Sequence, residues 1–265
     1  MFTNPVKKRL TDGKLTLGTW SVLASPLSAE HLAREGFEFI VVDLEHHPIG
    51  VEMAVHYFQA ITAGGAVPVA RLAYNDHVYI KRALDAGALG IIIPLIKSAD
   101  DARRAVEFSR FPPLGQRPYG GGRIGIYGPD YIARANDEIV VMLQIEHRQA
   151  VEQLDEILAV EGYDGCFIGP TDLALSMGMP TPAQGGCAEL EDLIADLARR
   201  ILNAGKPLGT VVHAVDLCRK RIGQGFTFMS LFSDLSLMKQ SVQRARQEMK
   251  DHGLWPVARA LGSDE

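Results

Sequence analysis

Residues 139–145 read IVVMLQI, a nearly unbroken apolar run that stops one step before an acid, Glu146. A strand with one wet face alternates apolar and polar residues, whereas a strand covered on both faces has no need to. The run therefore reads as a strand of a parallel sheet buried on both sides. IVVD at 40–43 and GIIIP at 90–94 repeat the pattern. Working outward, β-rich runs recur at 17–22, 39–43, 67–71, 89–94, 139–145, 165–168, 207–212 and 226–230. Helical periodicity fills the intervals at 28–35, 51–63, 76–86, 99–110, 149–158, 188–204, 214–223 and 234–250. Ser28 reads as the N-cap of the first helix and Asp100 or Ser98 as that of the fourth; Gly36, Gly64, Gly87 and Gly205 stand where C-caps belong. Strands alternating with helices in this way predict a closed (β/α)8 TIM barrel, one α/β domain over residues 1–265. An open doubly wound sheet is the alternative, but the GxGxxG that marks its dinucleotide-binding form is absent after the first strand. Two segments break the rhythm: 111–136, containing RPYGGGRIGIYGP, and 179–186, MPTPAQGG.

Composition narrows the function classes. The chain has 265 residues, 47% apolar and 22% charged, enough to bury a substantial core. Lys plus Arg is 27 against 32 Asp plus Glu, a net charge of −5, which argues against nucleic acid as partner. No apolar run approaches the length of a membrane span. The opening MFTNPVKKRLTDGK lacks the apolar core of an export signal, so a cytoplasmic location is expected. Cys166, Cys187 and Cys218 are sparse, lack metal-site spacing and suit a reducing compartment.

A barrel of this class carries its chemistry at the C-terminal ends of its strands. The second strand ends in Asp43-Leu44-Glu45-His46-His47, the third in Arg71, the fifth in Gln144-Ile145-Glu146, the sixth in Gly169-Pro170-Thr171-Asp172 and the eighth near Ser233-Asp234; His213 follows the seventh. Glu146 and Asp172 come from neighbouring strands with no cysteine near. Two hard oxygen donors suit Mg²⁺ or Mn²⁺ with positions left open for substrate. The alternative is a capping role, since Thr171 or Asp172 is a natural N-cap. His46 follows two acids, as a general base with an orienting carboxylate would; it reads equally as a solvated loop residue. Arg71 fits either a grip on a substrate oxygen or a structural ion pair, with Asp85 in the next helix as a partner. RPYGGGR fits an anion cradle of backbone amides or a flexible lid, and matches no nucleotide motif. Trp20 ends the first strand and can line the pocket. Cys166, Met177 and Met179 read as packing.

The stretch LGTWSVLASPLSAEHLAREGFEFIVVDLEHHPI resembles the opening of the HpcH/HpaI aldolases, metal-dependent class II pyruvate aldolases. The resemblance continues through PVARL, YIKRALDAGALGIIIPLIKSADDA, LQIEHRQAVEQLDEILAVEGYDGCFIGPTDLALSMG and GKPLGTVVHAVDLCRKRIGQGFTFMSLFSDLSLM, nearly the whole chain in order. DLEHHP, QIE and IGPTDLALSMG are its most specific pieces. The resemblance implies Glu146 and Asp172 as ligands of a divalent ion (Mg²⁺, Mn²⁺ or Co²⁺). It implies His46 for proton transfer with Asp43 as its acid, Arg71 facing the keto oxygen, Asp85 near the site, Gln144 as a polar neighbour, and the turn of Gly169, Pro170, Thr171 and Asp172, through its backbone amides, as the region of the pyruvate carboxylate. It further implies a homohexamer built as a trimer of dimers, with the helix at 234–250 packing on a neighbouring subunit. The tail residues Trp255 and Leu261 look exposed and in want of a partner surface. Leu44 and His47 depart from the family pattern, where small residues are common, and PYGGGR agrees with only part of the family.

The expected activity is reversible cleavage of a 4-hydroxy-2-oxo acid to pyruvate, or a close analogue, and an aldehyde. Lys81 and Lys97 stand away from strand ends, which argues against a Schiff-base mechanism. A citrate lyase β-like enzyme acting on a CoA thioester is the alternative within the lyases, and a non-catalytic metabolite-binding barrel the alternative outside them.

Overall fold

In the computed structural model, residues 2–254 are described. The strands are β1 (Thr16–Ser21), β2 (Phe39–Asp43), β3 (Val67–Arg71), β4 (Gly90–Ile93), β5 (Val140–Ile145), β6 (Gly165–Ile168), β7 (Leu208–Val212) and β8 (Phe228–Ser233). They pair in chain order, and β8 closes on β1, giving a closed barrel with every pairing parallel. The helices are α1 (Pro5–Thr11), α2 (Pro26–Arg34), α3 (Val51–Gly64), α4 (His77–Asp85), α5 (Ala99–Ser109), α6 (Tyr131–Glu138), α7 (Arg148–Glu152), α8 (Leu154–Leu158), α9 (Pro170–Met177), α10 (Ala188–Asn203), α11 (Val215–Gly223) and α12 (Asp234–Asp251). The expected (β/α)8 barrel is therefore present.

Aromatic rings fill the lumen. Phe39 of β2 stacks on Phe228 of β8 at 4.0 Å between centroids. Phe167 of β6 meets Phe228 at 6.3 Å and Trp20 of β1 at 6.2 Å. None of these strand pairs is adjacent, so the contacts cross the barrel interior. Glycines make the room: a Cβ on Gly18 would lie 2.3 Å from the Phe39 ring, and one on Gly209 would lie 2.9 Å from Phe228. Strand side chains alternate between faces. The parity that puts Phe39 and Trp20 inside also turns Asp43, two residues past Val41, toward the lumen at the C-terminal mouth.

The closing seam carries its own fastening. Asp234, at the start of α12, accepts from Ser21 Oγ at 2.8 Å and from the Val22 amide at 2.9 Å. At the opposite mouth, fully buried Asn4 donates to the Leu89 and Glu138 carbonyls at 2.8 and 2.9 Å.

Several details differ from the sequence reading. The α2 cap is Ser25, not Ser28, because Pro26 starts the helix earlier. Ser98 caps α5. Gly36, Gly87 and Gly205 have positive φ, but after α3 it is Gly65, φ 95°, that takes the left-handed cap, with Gly64 still helical. The helix at 149–158 is broken into two at Gln153. The 111–136 segment is neither a lid nor an anion cradle at its own chain's rim. It links α5 to β5, so it lies at the N-terminal mouth of the barrel. There Arg117, only 1% exposed, donates to Asp85 at 2.9 Å and to the Tyr131 hydroxyl at 3.2 Å. Its guanidinium also lies 4.5 Å from the Phe111 ring centroid.

Candidate active site

The C-terminal mouth gathers charge from three adjoining walls. β2 and β3 pair in register, placing Asp43 beside Arg71. Arg71 grips the buried carboxylate as a fork, Nε to Oδ1 at 2.9 Å and Nη2 to Oδ2 at 2.7 Å. Asp43 also accepts the Glu45 amide at 3.1 Å and lies 2.5 Å from His47 Nδ1. Burial alone pushes the Asp43 carboxyl up, but the Arg71 hydrogen bonds and charge, with His47 and the amide, outweigh it and hold it below the usual aspartate range. The guanidinium lies over the Trp20 ring, 4.5 Å from its centroid.

Glu146 follows β5 and is 3% exposed. Its Oε1 accepts the Leu95 amide at 2.9 Å, and its Oε2 accepts from Gln144 Nε2. Leu95 holds φ +54°, a strained conformation for a branched residue, and it aims that amide at the carboxylate. Gly169 is equally constrained: a Cβ there would stand 2.7 Å from Glu146 Oε2. Asp172 sits in the first turn of α9, whose N-cap is Gly169 with no side-chain capping bond. Neither Thr171 nor Asp172 is the cap. Burial raises Glu146 above the usual glutamate range, and the like charge of Asp172 adds to the rise.

Glu45 completes this acidic wall. Burial, with the charges of Glu146, Asp43 and Asp172, pushes it up to about 7 against the opposing pull of Arg71. Its Oε2 is 3.3 Å from Arg71 Nε but lacks a hydrogen-bond partner, as does Gln144 Oε1. Buried oxygens without donors beside strained carboxylates fit a hard cation, which would satisfy the first and relieve the second. Among the described residues no cluster of three or more His, Cys, Asp or Glu is arranged to hold a metal.

Beside Arg71 lies a cavity of about 260 Å³ whose walls include Trp20, Val22, Asp43, His47, His213 and Leu235. Two expected pairings are not made within this chain. His46 is not the partner of Asp43. Its side chain is 59% exposed, with Nε2 3.7 Å from Glu45 Oε2, because DLEHHP leaves the extended conformation after Asp43 and the next imidazole turns back instead. Asp85 is not at this mouth of its own barrel and does not pair with Arg71. It ends α4, at the N-terminal mouth, bound to Arg117. Glu45, His47, His213 and the Leu95 amide are parts of the site that the sequence reading did not assign. For His47 the only signal was its unusual size at that position.

Residues 16–241 match the sequence model of a family described as HpcH/HpaI aldolase/citrate lyase. A 2-keto-3-deoxy-L-rhamnonate aldolase of Escherichia coli O157:H7 is 35% identical over 248 residues, 92% of each chain. A solved HpcH/HpaI aldolase/citrate lyase family protein from Burkholderia cenocepacia J2315 is 31% identical, with a TM-score of 0.87 over 94% of this chain and 100% of that one. An HpcH/HpaI aldolase from Desulfitobacterium hafniense DCB-2 is 27% identical, with a TM-score of 0.87 over 98% of this chain and 100% of that one.

Proposed function

The chain belongs to the HpcH/HpaI aldolase/citrate lyase family and is a carbon–carbon lyase of the aldolase type, and from the rim geometry we propose a divalent-metal-dependent class II pyruvate aldolase. Its reaction is the reversible cleavage of a 4-hydroxy-2-oxo acid to pyruvate and an aldehyde. The observation that carries this reading is the acidic wall of Glu45, Glu146 and Asp172 facing Arg71, with two buried oxygens left without donors.

Glu146 and Asp172 would hold Mg²⁺, Mn²⁺ or Co²⁺, which supplies Lewis-acid polarisation of the 2-oxo acid. Arg71 presents positive charge where the keto oxygen becomes an enolate oxygen, and Asp43 fixes its direction. Trp20 covers the guanidinium face and keeps water from it. The first turn of α9, uncapped by any side chain, offers the Gly169–Asp172 region to the substrate carboxylate, and Gln144 steadies Glu146. A rim histidine must carry the proton of the substrate hydroxyl; the family resemblance points to His46.

We also propose a homo-oligomer, with the hexamer implied by the resemblance as its form and the cytoplasm as its location. Only Asp234 is buried on the 18-residue α12. Leu235, Met238, Val242, Ala245 and Met249 recur at alternating steps of three and four, the seam of a helix that packs on a partner. Met238, Val242 and Met249 are 49, 55 and 39% exposed. Trp255 and Leu261 lie outside the described residues. Asp85, at the far mouth of its own barrel, reaches an active rim only from a neighbouring copy.

The test is exchange of pyruvate methyl protons with deuterated water. It should require added metal and vanish in Glu146→Gln and Asp172→Asn with the circular dichroism spectrum preserved. Full exchange in a metal-stripped variant would exclude the assignment.

A further inference from the structure

We propose that His213 selects the aldehyde half of the substrate by hydrogen-bonding a hydroxyl on the carbon next to the aldehyde carbonyl, an inference that rests on the aldolase reading above. The imidazole follows β7 and lines the cavity beside Arg71, at its open edge. β3 and β7 stand four strands apart in a closed ring of eight, so Arg71 and His213 belong to opposite walls of the mouth. A 2-oxo acid held at its keto oxygen by Arg71 extends its remaining carbons into this cavity, toward the β7 wall.

The other polar side chains of the cavity are engaged. Asp43 and Arg71 clasp each other, and His47 is tied to Asp43 through Nδ1. Ser233 Oγ accepts the Ser236 amide at 3.1 Å as the cap of α12. Trp20 Nε1 lacks an acceptor but is enclosed. Val22, Val211, Phe232 and Leu235 complete the walls with apolar surface. Among the described residues, no hydrogen bond or ion pair engages the His213 ring. In a mostly apolar pocket the few polar groups decide which ligand is accepted, and His213 is the one here with both ring nitrogens free.

The state of that ring sets the chemistry of its ligand. Desolvation holds the imidazole below the ordinary pKa of 6.5, and no carboxylate opposes the fall. The ring is therefore neutral at about pH 7.5. A neutral imidazole offers one N–H donor and one acceptor. That pair matches a hydroxyl, which both accepts and donates, and it offers no positive charge to a carboxylate. The aldehyde is accordingly a hydroxyaldehyde, and the substrate a 4,5-dihydroxy-2-oxo acid, rather than an alkyl aldehyde or a semialdehyde acid.

Glycolaldehyde and propionaldehyde differ by hydroxyl against methyl at the carbon in question. In aldol addition with pyruvate and Mn²⁺, the ratio of their kcat/KM values should favour glycolaldehyde in the parent. In His213→Leu the ratio should fall roughly 2–13-fold, the net worth of one neutral hydrogen bond. In His213→Gln, which keeps a donor and an acceptor, most of it should be retained. The change in ratio cancels both the intrinsic reactivity of the aldehydes and the fraction of each variant that folds. An unchanged ratio in His213→Leu, or a parent without preference for glycolaldehyde, would overturn the assignment. So would a parent preference for succinic semialdehyde that His213→Leu abolishes, because the imidazole would then be serving a carboxylate. A parent that adds no aldehyde to pyruvate would instead refute the aldolase reading.

Discussion

Gly169→Ala probes whether the carboxylate pair is shaped for a cation. Gly169 has φ −95° and ψ 93°, values that alanine adopts without strain. The added carbon itself is the perturbation. It would lie 2.7 Å from Glu146 Oε2, 3.1 Å from Glu146 Cβ and 3.3 Å from Gln144 Nε2. Ordinary contact begins at 3.4 Å, so the carboxylate must retreat by roughly 0.7 Å, and a displacement near 1 Å from working geometry costs about 10²-fold in rate. The retreat also strains the bonds from the Leu95 amide and from Gln144. Losing one hydrogen bond to a charged group costs about 1.5–3 kcal/mol, or roughly 10–150-fold in affinity. Calorimetric titration with Mn²⁺ should therefore show binding weaker by one to two orders of magnitude, with turnover at saturating metal down about 10²-fold. A folded variant that binds Mn²⁺ as the parent does would refute the placement of the cation on Glu146.

Two further outcomes follow from the geometry. Glu45 titrates at about 7 in the fold against an ordinary 4.5, so between these values the folded chain keeps a proton that the unfolded chain has released. The cost to the fold therefore grows from about pH 4.5 to about 7 and stays constant above, and Glu45→Gln should lift it. The melting advantage of Glu45→Gln should widen from about pH 5 to about pH 8 by the equivalent of roughly 1–3 kcal/mol; a gap independent of pH would contradict it. On α12, Val242→Glu places a charge in the exposed apolar seam and should shift light scattering toward smaller species, whereas a parent protein that is monomeric at every concentration would remove the case for assembly.

The barrel was legible because its strands are covered on both faces, which leaves runs such as IVVMLQI without polar punctuation. Boundaries were less so where polar residues belong to a strand: β8 extends to Ser233 because its last residues reach the rim. Glu146 and Asp172 were legible as rim carboxylates from their strand-end positions. The partner of Asp43 was not, since the alternation that orders a strand ends where DLEHHP begins to turn. Asp85 lies away from its own chain's rim for a topological reason. A helix that returns antiparallel to its strand carries its last turn to the other mouth, and the Arg117 bond that fixes Asp85 there spans 32 residues. α1 and α6 went unseen because each is short and mostly polar, held by Asn4 and Tyr131 rather than by periodicity.

The Asp234 fastening has a consequence for how the chain is made. Its bonds to Ser21 and Val22 span 213 and 212 residues, and the strands they clasp are the first and last of the barrel. During synthesis the early strands emerge long before their final neighbour exists, so β1 has an unpaired edge until β8 leaves the ribosome. That edge is open to adhesion with other nascent chains. The polar staple at Asp234 acts only after that wait, which makes ring closure the last and most exposed event in the birth of the enzyme.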